Sequence, residues 1–263
     1  MRLNPSLRSS LSIQKRVLHA LLMREALTRY GRHNIGFLWL FIEPMLFTIG
    51  ITIFWTVTKA IHGSELPIVP FAITGYSSVL LWRNMPARLM GAVPPNAGLM
   101  HHRNVRLIDI YVSRIILEAG GVTISFVFLT VLFVAIEWMT WPEDILGVVL
   151  GWLLLNWFGW SLAFLLGSLS ERSEVVDKLW HPVTYFLFPV SGAAFIVDAL
   201  PEVGRTIVLT LPMVHCTEII REGFFGSVFE PHYSIPYVVA FCSVLSAAGL
   251  MNTAYVSRRI VLE

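Results

Sequence analysis

Charge is what this sequence has least of. Only 14% of its 263 residues are Asp, Glu, Lys or Arg, against 56% hydrophobic, and mean hydropathy is +0.69. A water-soluble domain of that composition could not cover its own apolar surface, so that class is excluded. Cysteine is nearly absent: Cys216 and Cys242 give neither a disulfide framework nor a metal-ligand spacing, and read as packing residues. The phosphate loop G-x-x-x-x-G-K-[ST] is missing, as are H-E-x-x-H and G-x-S-x-G, so no catalytic, cofactor or metal site is expected in the chain. The adjacent His101 and His102 cannot share one helical face and make no ligand pair. Residues 1–30 are basic and interrupted by polar positions, with no apolar core of the kind a cleavable signal peptide needs, so none is expected.

What remains is a series of apolar stretches. A hydrocarbon core of roughly 30 Å needs about 20 helical residues to cross it. Residues 35–58, 108–137, 145–168, 179–197 and 233–256 meet that length, and 66–90 does so if Arg83 and Arg88 snorkel toward the interface. The expectation is an all-α integral membrane protein with six transmembrane helices. A barrel is excluded, because its signature is alternation over about ten residues. Of the 19 basic residues, all but Lys59, Arg205 and Arg221 fall in segments on one side of these spans, which places both termini in the cytoplasm.

Three segments outside the spans carry structure of their own. Val17, Leu18, Leu21 and Leu22 form one stripe within 11–32, with Lys15, Arg16, Arg24 and Arg29 mostly off it. This reads as an amphipathic interface helix near anionic lipid headgroups, either a docking element or a topology-setting basic tail. In 91–106, Pro94 and Pro95 stop one helix and Asn96 can cap the next, giving a basic loop that serves as a partner contact or a plain connector. Residues 199–229 hold apolar pieces too short to span, broken at Pro212 and Gly223 and seeded with His215, Glu218, Arg221 and Glu222. Broken helices at membrane depth pack on protein or line a wet cavity, so this is expected to be a re-entrant hairpin. Its charged groups either neutralise one another at i, i+3 spacing or ring the exit of a path.

Candidates inside the spans follow from chemistry. Glu43, before the helix-kinking Pro44, is an intramembrane carboxylate. Arg114 and Glu118 are spaced for a local ion pair. Trp138, Trp141 and Trp180 are expected as interfacial anchors. Tyr76, Trp82 and Tyr185 are candidates for a surface on which sugar rings slide.

Three segments carry a resemblance. REALTRYGRHNIGFLWLFIEP (24–44), NAGLMHHRNVRLIDIYVSRIILE (96–118) and LPMVHCTEIIREGFF (211–225) are similar, in order, to the opening, cytoplasmic loop and N-P-L-V-H-x-x-E-x-x-R-E motif of permease subunits of ABC-2 type capsular polysaccharide exporters. Leu211 stands where that family usually has Asn. The resemblance implies a permease that pairs with a second copy of itself and with two copies of a separate ABC ATPase, which binds the ATP and Mg. The coupling elements would include Arg24, Arg29, Pro94, Pro95, Asn96, His101 and Arg103. Arg83, Arg88 and Arg106 would form the substrate entrance, Glu43, Tyr76, Trp82 and Tyr185 the pathway, and Pro212, His215, Glu218 and Arg221 the re-entrant exit. The implied cargo is a lipid-linked capsular polysaccharide leaving the cytoplasm across a bacterial inner membrane toward a periplasmic adaptor and an outer-membrane exporter. Besides membrane lipids no other partner class is implied, and nucleic acid is not among them. Exporters of O-antigen, teichoic acid or another lipid-linked glycan share the architecture, and a passive channel or scaffold without an ATPase is a further alternative.

Overall fold

The computed structural model describes residues 7–30, 34–58, 66–102 and 105–260, and every regular element among them is helical. Helix α1 (Leu7–Tyr30) precedes α2 (Asn34–Thr58) and α3 (Ile68–Leu89). A 3-10 turn at Pro94–Asn96 leads into the short α4 (Ala97–His102), then α5 (Leu107–Ala135) and α6 (Ile145–Ser170). After α7 (Glu174–Val190) come two short helices, α8 (Glu202–Val208) and α9 (Pro212–Phe225), and finally α10 (Ile235–Ile260).

Four of these helices are long and apolar enough to cross a membrane: α5, α6, Leu38–Val57 of α2 and Ile235–Arg259 of α10. The α8–α9 pair, bent by 105°, reaches that standard only as a unit. Neither α3 nor α7 reaches it alone, although spans were expected at 66–90 and 179–197. Helix α3 carries Thr74, Ser77, Ser78, Arg83 and Arg88, and it tolerates them because most of its surface packs on protein, leaving little that must suit lipid. Helix α7 is 17 residues long and contains Pro182 and Pro189. Residues 191–200 beyond it are irregular, where a continuous helix was expected, with Gly192 at φ +83° in a left-handed conformation open to glycine.

Helix α6 is the centre of the bundle, packed against α3, α9 and α10. Trp152 on α6 stacks on Phe126 of α5, ring centroids 4.3 Å apart, and its indole N–H donates to Thr123 Oγ1 at 2.9 Å. Toward α10, Trp157 Nε1 donates to Ser246 Oγ at 2.9 Å, and Ser161 and Ser246 share a 2.7 Å hydrogen bond. Where water and a strong hydrophobic drive are both lacking, close packing and such interhelical bonds hold helices together. The kink site of α2 is treated the same way. Pro44 removes the N–H that Leu40 O would have accepted, and Ser125 of α5 donates to the next carbonyl, Phe41 O, at 2.7 Å.

Helix α9 is buried along almost its whole length. Its approach to α6 depends on Gly223, where a Cβ would lie 2.6 Å from Val148 N and 2.7 Å from Asp144 O. Both are backbone atoms of the α6 start, so the helices would have to separate. Gly223→Ala is expected to cost about 1–3 kcal/mol, the usual penalty of overpacking. It should lower the melting temperature and monodisperse yield of detergent-purified protein. Gly120→Ala, at a site with nothing within 4 Å, should change neither.

Candidate functional site

Two polar assemblies lie at opposite ends of the bundle. At the first, α1 is tied to the 91–96 loop and to α5. The Arg24 guanidinium donates to the Asn96 side-chain oxygen and to Pro95 O at 3.1 Å. Asn96, only 2% exposed, donates in turn to Ala92 O at 2.8 Å. Asn96 therefore closes the loop onto α1, ending a 3-10 turn where a helix cap was expected. Gln14 donates to Asp109, whose second oxygen reaches back to accept from the Arg106 N–H at 3.0 Å and caps the start of α5. Across the loop, the Val93 N–H donates to Glu171 at the end of α6, 3.3 Å away. Burial pushes the Glu171 carboxyl above the usual carboxylate range, while that N–H and Arg114 pull it back. Between α1 and the loop runs a cleft of about 390 Å³, lined by Val17, Leu21, Arg24, Leu99 and Val105 among others.

Arg114 and Glu118 were expected to pair locally. Arg114 instead binds Glu25 of α1 at 2.9 Å and donates to Arg88 O at 2.8 Å, while Glu118 binds Arg88 of α3 at 2.8 Å. The reason is geometric: α1 and α3 flank α5, and each offers an opposite charge to a buried or half-buried one. Arg83, one and a half turns earlier on α3, lies over the Tyr185 ring of α7 at 5.5 Å from its centroid.

At the other end, α9 presents its motif to backbone rather than to itself. Arg221, with no exposed surface, donates to Phe195 O at 2.6 Å and Ala193 O at 2.9 Å, and its guanidinium sits 3.9 Å from the Phe71 ring centroid. Glu218 accepts from the His232 N–H at 3.2 Å. His215 donates from Nε2 to Leu209 O at 2.8 Å and accepts at Nδ1 from the Ser234 N–H at 3.0 Å. Tyr233 donates to Glu222 at 2.7 Å. His215, Glu218 and Arg221, spaced for mutual pairing, each bond to an irregular stretch, while Glu218 and Arg221 keep their coulombic attraction to one another.

The sequence profile of ABC-2 type transporters matches residues 16–225. The chain belongs to that family. This ABC-2 transporter is similar to the capsule polysaccharide export inner-membrane protein CtrC of Neisseria meningitidis serogroup B, with 42% identity over 95% of each chain. It is 38% identical to BexB of Haemophilus influenzae, of the same description, over 96% of each chain. With the polysialic acid transport protein KpsM of Escherichia coli the identity is 29%, over 92% of this chain and 94% of KpsM.

In the ABC-2 transporter chain the expected coupling residues Arg24, Pro95 and Asn96 form one cluster, with Pro94 and His101 exposed beside it. Arg103 and the side chain of Arg29 lie outside the described residues. Arg106 is exposed at the α5 start, and Arg83 and Arg88 are half-buried. Of the pathway candidates, Glu43 and Tyr185 are exposed. Trp82, 1% exposed, is a core residue against Phe158, and Tyr76 is buried among Phe47, Trp55 and Phe188. Pro212, His215, Glu218 and Arg221 are all buried, with the last three bonded to irregular backbone. Trp138 and Trp141 are exposed, but Trp180 is in the core and is no interfacial anchor.

Sequence reasoning passed over Gln14, Glu25, Asp109 and Glu171. Only Asp109 left a local signal, three residues after Arg106 at a helix start; the others are defined by partners on distant helices. Arg221→Met should strand the carbonyls of Ala193 and Phe195 and cost about 3 kcal/mol or more, since each bond is to a charged donor. The expected result is loss of the folded peak in size-exclusion chromatography. Arg221→Lys should recover only part of it, because one ammonium cannot reproduce the fork.

Proposed function

We propose that this chain is the membrane-spanning subunit of an ATP-driven exporter that moves lipid-linked capsular polysaccharide from cytoplasm to periplasm across a bacterial inner membrane. The observation that carries the proposal is the near full-length similarity to CtrC and BexB, both named for capsule polysaccharide export at the inner membrane. In this reading α2, α3, α5, α6, α7 and α10 are the six crossings, α8 and α9 form a re-entrant periplasmic hairpin, and both termini are cytoplasmic. The distribution of basic residues supports the orientation, since Lys59, Arg205 and Arg221 alone fall on the far side.

The chain works as one of two copies, each with a separate ABC ATPase that supplies ATP and Mg. The polymer passes on to a periplasmic adaptor and an outer-membrane exporter. The path lies between the copies, against α2, α3 and α7. The exposed apolar side chains of α2 and α7, among them Phe47, Phe54 and Phe186, support an uncovered face there. The ATPase docks on α1 and residues 91–106. The bonds from Arg24 to Asn96 and Pro95, and from Glu25 to Arg114, support this, because a push on α1 or the loop is passed directly to α5 and α3.

Deleting the gene should abolish surface capsule and leave lipid-linked polymer inside the cell, and the cloned chain should restore export. Normal capsule in the deletion strain would sink the proposal. Arg24→Ala should leave the chain in the membrane while reducing ATPase co-purification and capsule export by roughly tenfold, the scale of one lost charge-assisted bond. Export unchanged in that variant would remove α1 from the coupling path.

A further inference from the structure

Three arginines lie on α3 and α5 toward the α1 end of the bundle, and they do not share one electrostatic fate. Arg88 is matched by Glu118 and Arg114 by Glu25. Arg83 has no carboxylate partner among the described residues, and no hydrogen bond there engages its guanidinium; its contact is the Tyr185 ring. Arg83 sits six residues before Leu89, the last of α3, which is about 9 Å along the helix. A cation at that depth is costly unless it faces the bundle interior or a wet cavity, and it marks a functional site by default.

Its partner is as unusual as its position. Tyr185 is 69% exposed on a helix whose buried side chains are only Trp180 and Thr184. A guanidinium held against an aromatic ring spends none of its N–H donors on that contact. The pair therefore presents a half-buried guanidinium whose donors no described residue takes, beside a ring that is mostly exposed around that contact. The guanidinium fork matches a carboxylate or phosphate in two-point geometry. The ring offers an apolar plane to the C–H face of a pyranose.

We infer that Arg83 and Tyr185 together form a binding step for an anionic pyranose, the guanidinium taking the carboxylate or phosphate and the ring taking the sugar face. This rests on the export reading and narrows it. The step selects acidic over neutral polymer, and Arg88, whose charge is already matched, takes no comparable part.

The test is titration of the full chain in lipid nanodiscs with three oligomers of equal length. One is an oligosialic acid, one a phosphodiester-linked hexosamine oligomer, and one dextran. The unaltered chain should bind at least one of the two anionic oligomers about tenfold tighter than dextran, the scale of a charge-assisted pair; which one binds tells carboxylate from phosphate. Arg83→Gln should erase the preference, Arg83→Lys should keep part of it, and Tyr185→Leu should weaken all binding while preserving the anionic preference. Equal binding of all three by the unaltered chain, binding of none, or a preference that survives Arg83→Gln overturns the inference. Because binding is read without transport, a failure here is distinct from normal capsule in the deletion strain, which overturns the export reading itself.

Discussion

The carbonyl oxygens of Ala193 and Phe195 end on the guanidinium of Arg221, and the end of the bundle opposite α1 depends on that contact. An apolar interior offers no donor to a carbonyl, so irregular chain buried there exists only where a side chain or backbone supplies one. Helix α7 contains Pro189 and is followed by Gly192, leaving the stretch 191–200 without helical partners. Helix α9 supplies them. The approach is close enough that Gly75 of α3 has no room for a side chain: a Cβ there would lie 2.5 Å from Ala193 O. One buried charge thus ties α3, α9 and the segment after α7 together, while the burial of α3 along its length comes from its packing on α6, α5 and α2.

Charge is used differently on α9 and around α1. His215, Glu218 and Arg221 of α9 bind backbone and are almost fully enclosed, while Arg205 and Asp198 beside them pair half-exposed, so it is the three enclosed groups whose loss strands a polar atom in an apolar place. Around α1, ionisable groups bind one another and are partly wet; the Arg88–Glu118 bridge has a side chain 40% exposed on one side and 4% on the other. Water can take over Arg88 when that bridge opens, whereas the enclosed Glu118 depends on its protein partners. Under the proposed docking of an ATPase on α1, the wetter assembly lies at the end that receives the push and the enclosed one at the end that holds its shape.

This contrast also separates what was legible in the sequence from what was not. The apolar runs that became α5, α6 and α10 needed only length and composition to be seen. Helix α3 was harder to read, because protein rather than lipid surrounds most of it and its polarity no longer reports its surroundings. The end of α7 was misread for a related reason: residues 191–197 are apolar enough to continue a helix, and nothing local says that Arg221 will satisfy them in a bent form. Spacing gave the i, i+4 pair of Arg114 and Glu118 and the i, i+3 series in α9. Each residue chose a partner from another segment, 89 positions away for Arg114 and Glu25. Periodicity describes one helix at a time, and these choices are made between helices.

The same limit applies to counting positive charge. A tally of Lys and Arg by segment treats Arg83, Arg88 and Arg114 as equal contributions to the field at one face of the membrane. At close range they are not equal, because Glu118 and Glu25 cancel two of them within 3 Å, and a cancelled pair acts beyond its own dimensions only as a dipole. The uncancelled positive field at α3 is therefore that of Arg83, backed by a ring that carries no net charge. Orientation in the membrane follows the number of basic residues; recognition follows the few whose charge the fold leaves uncancelled.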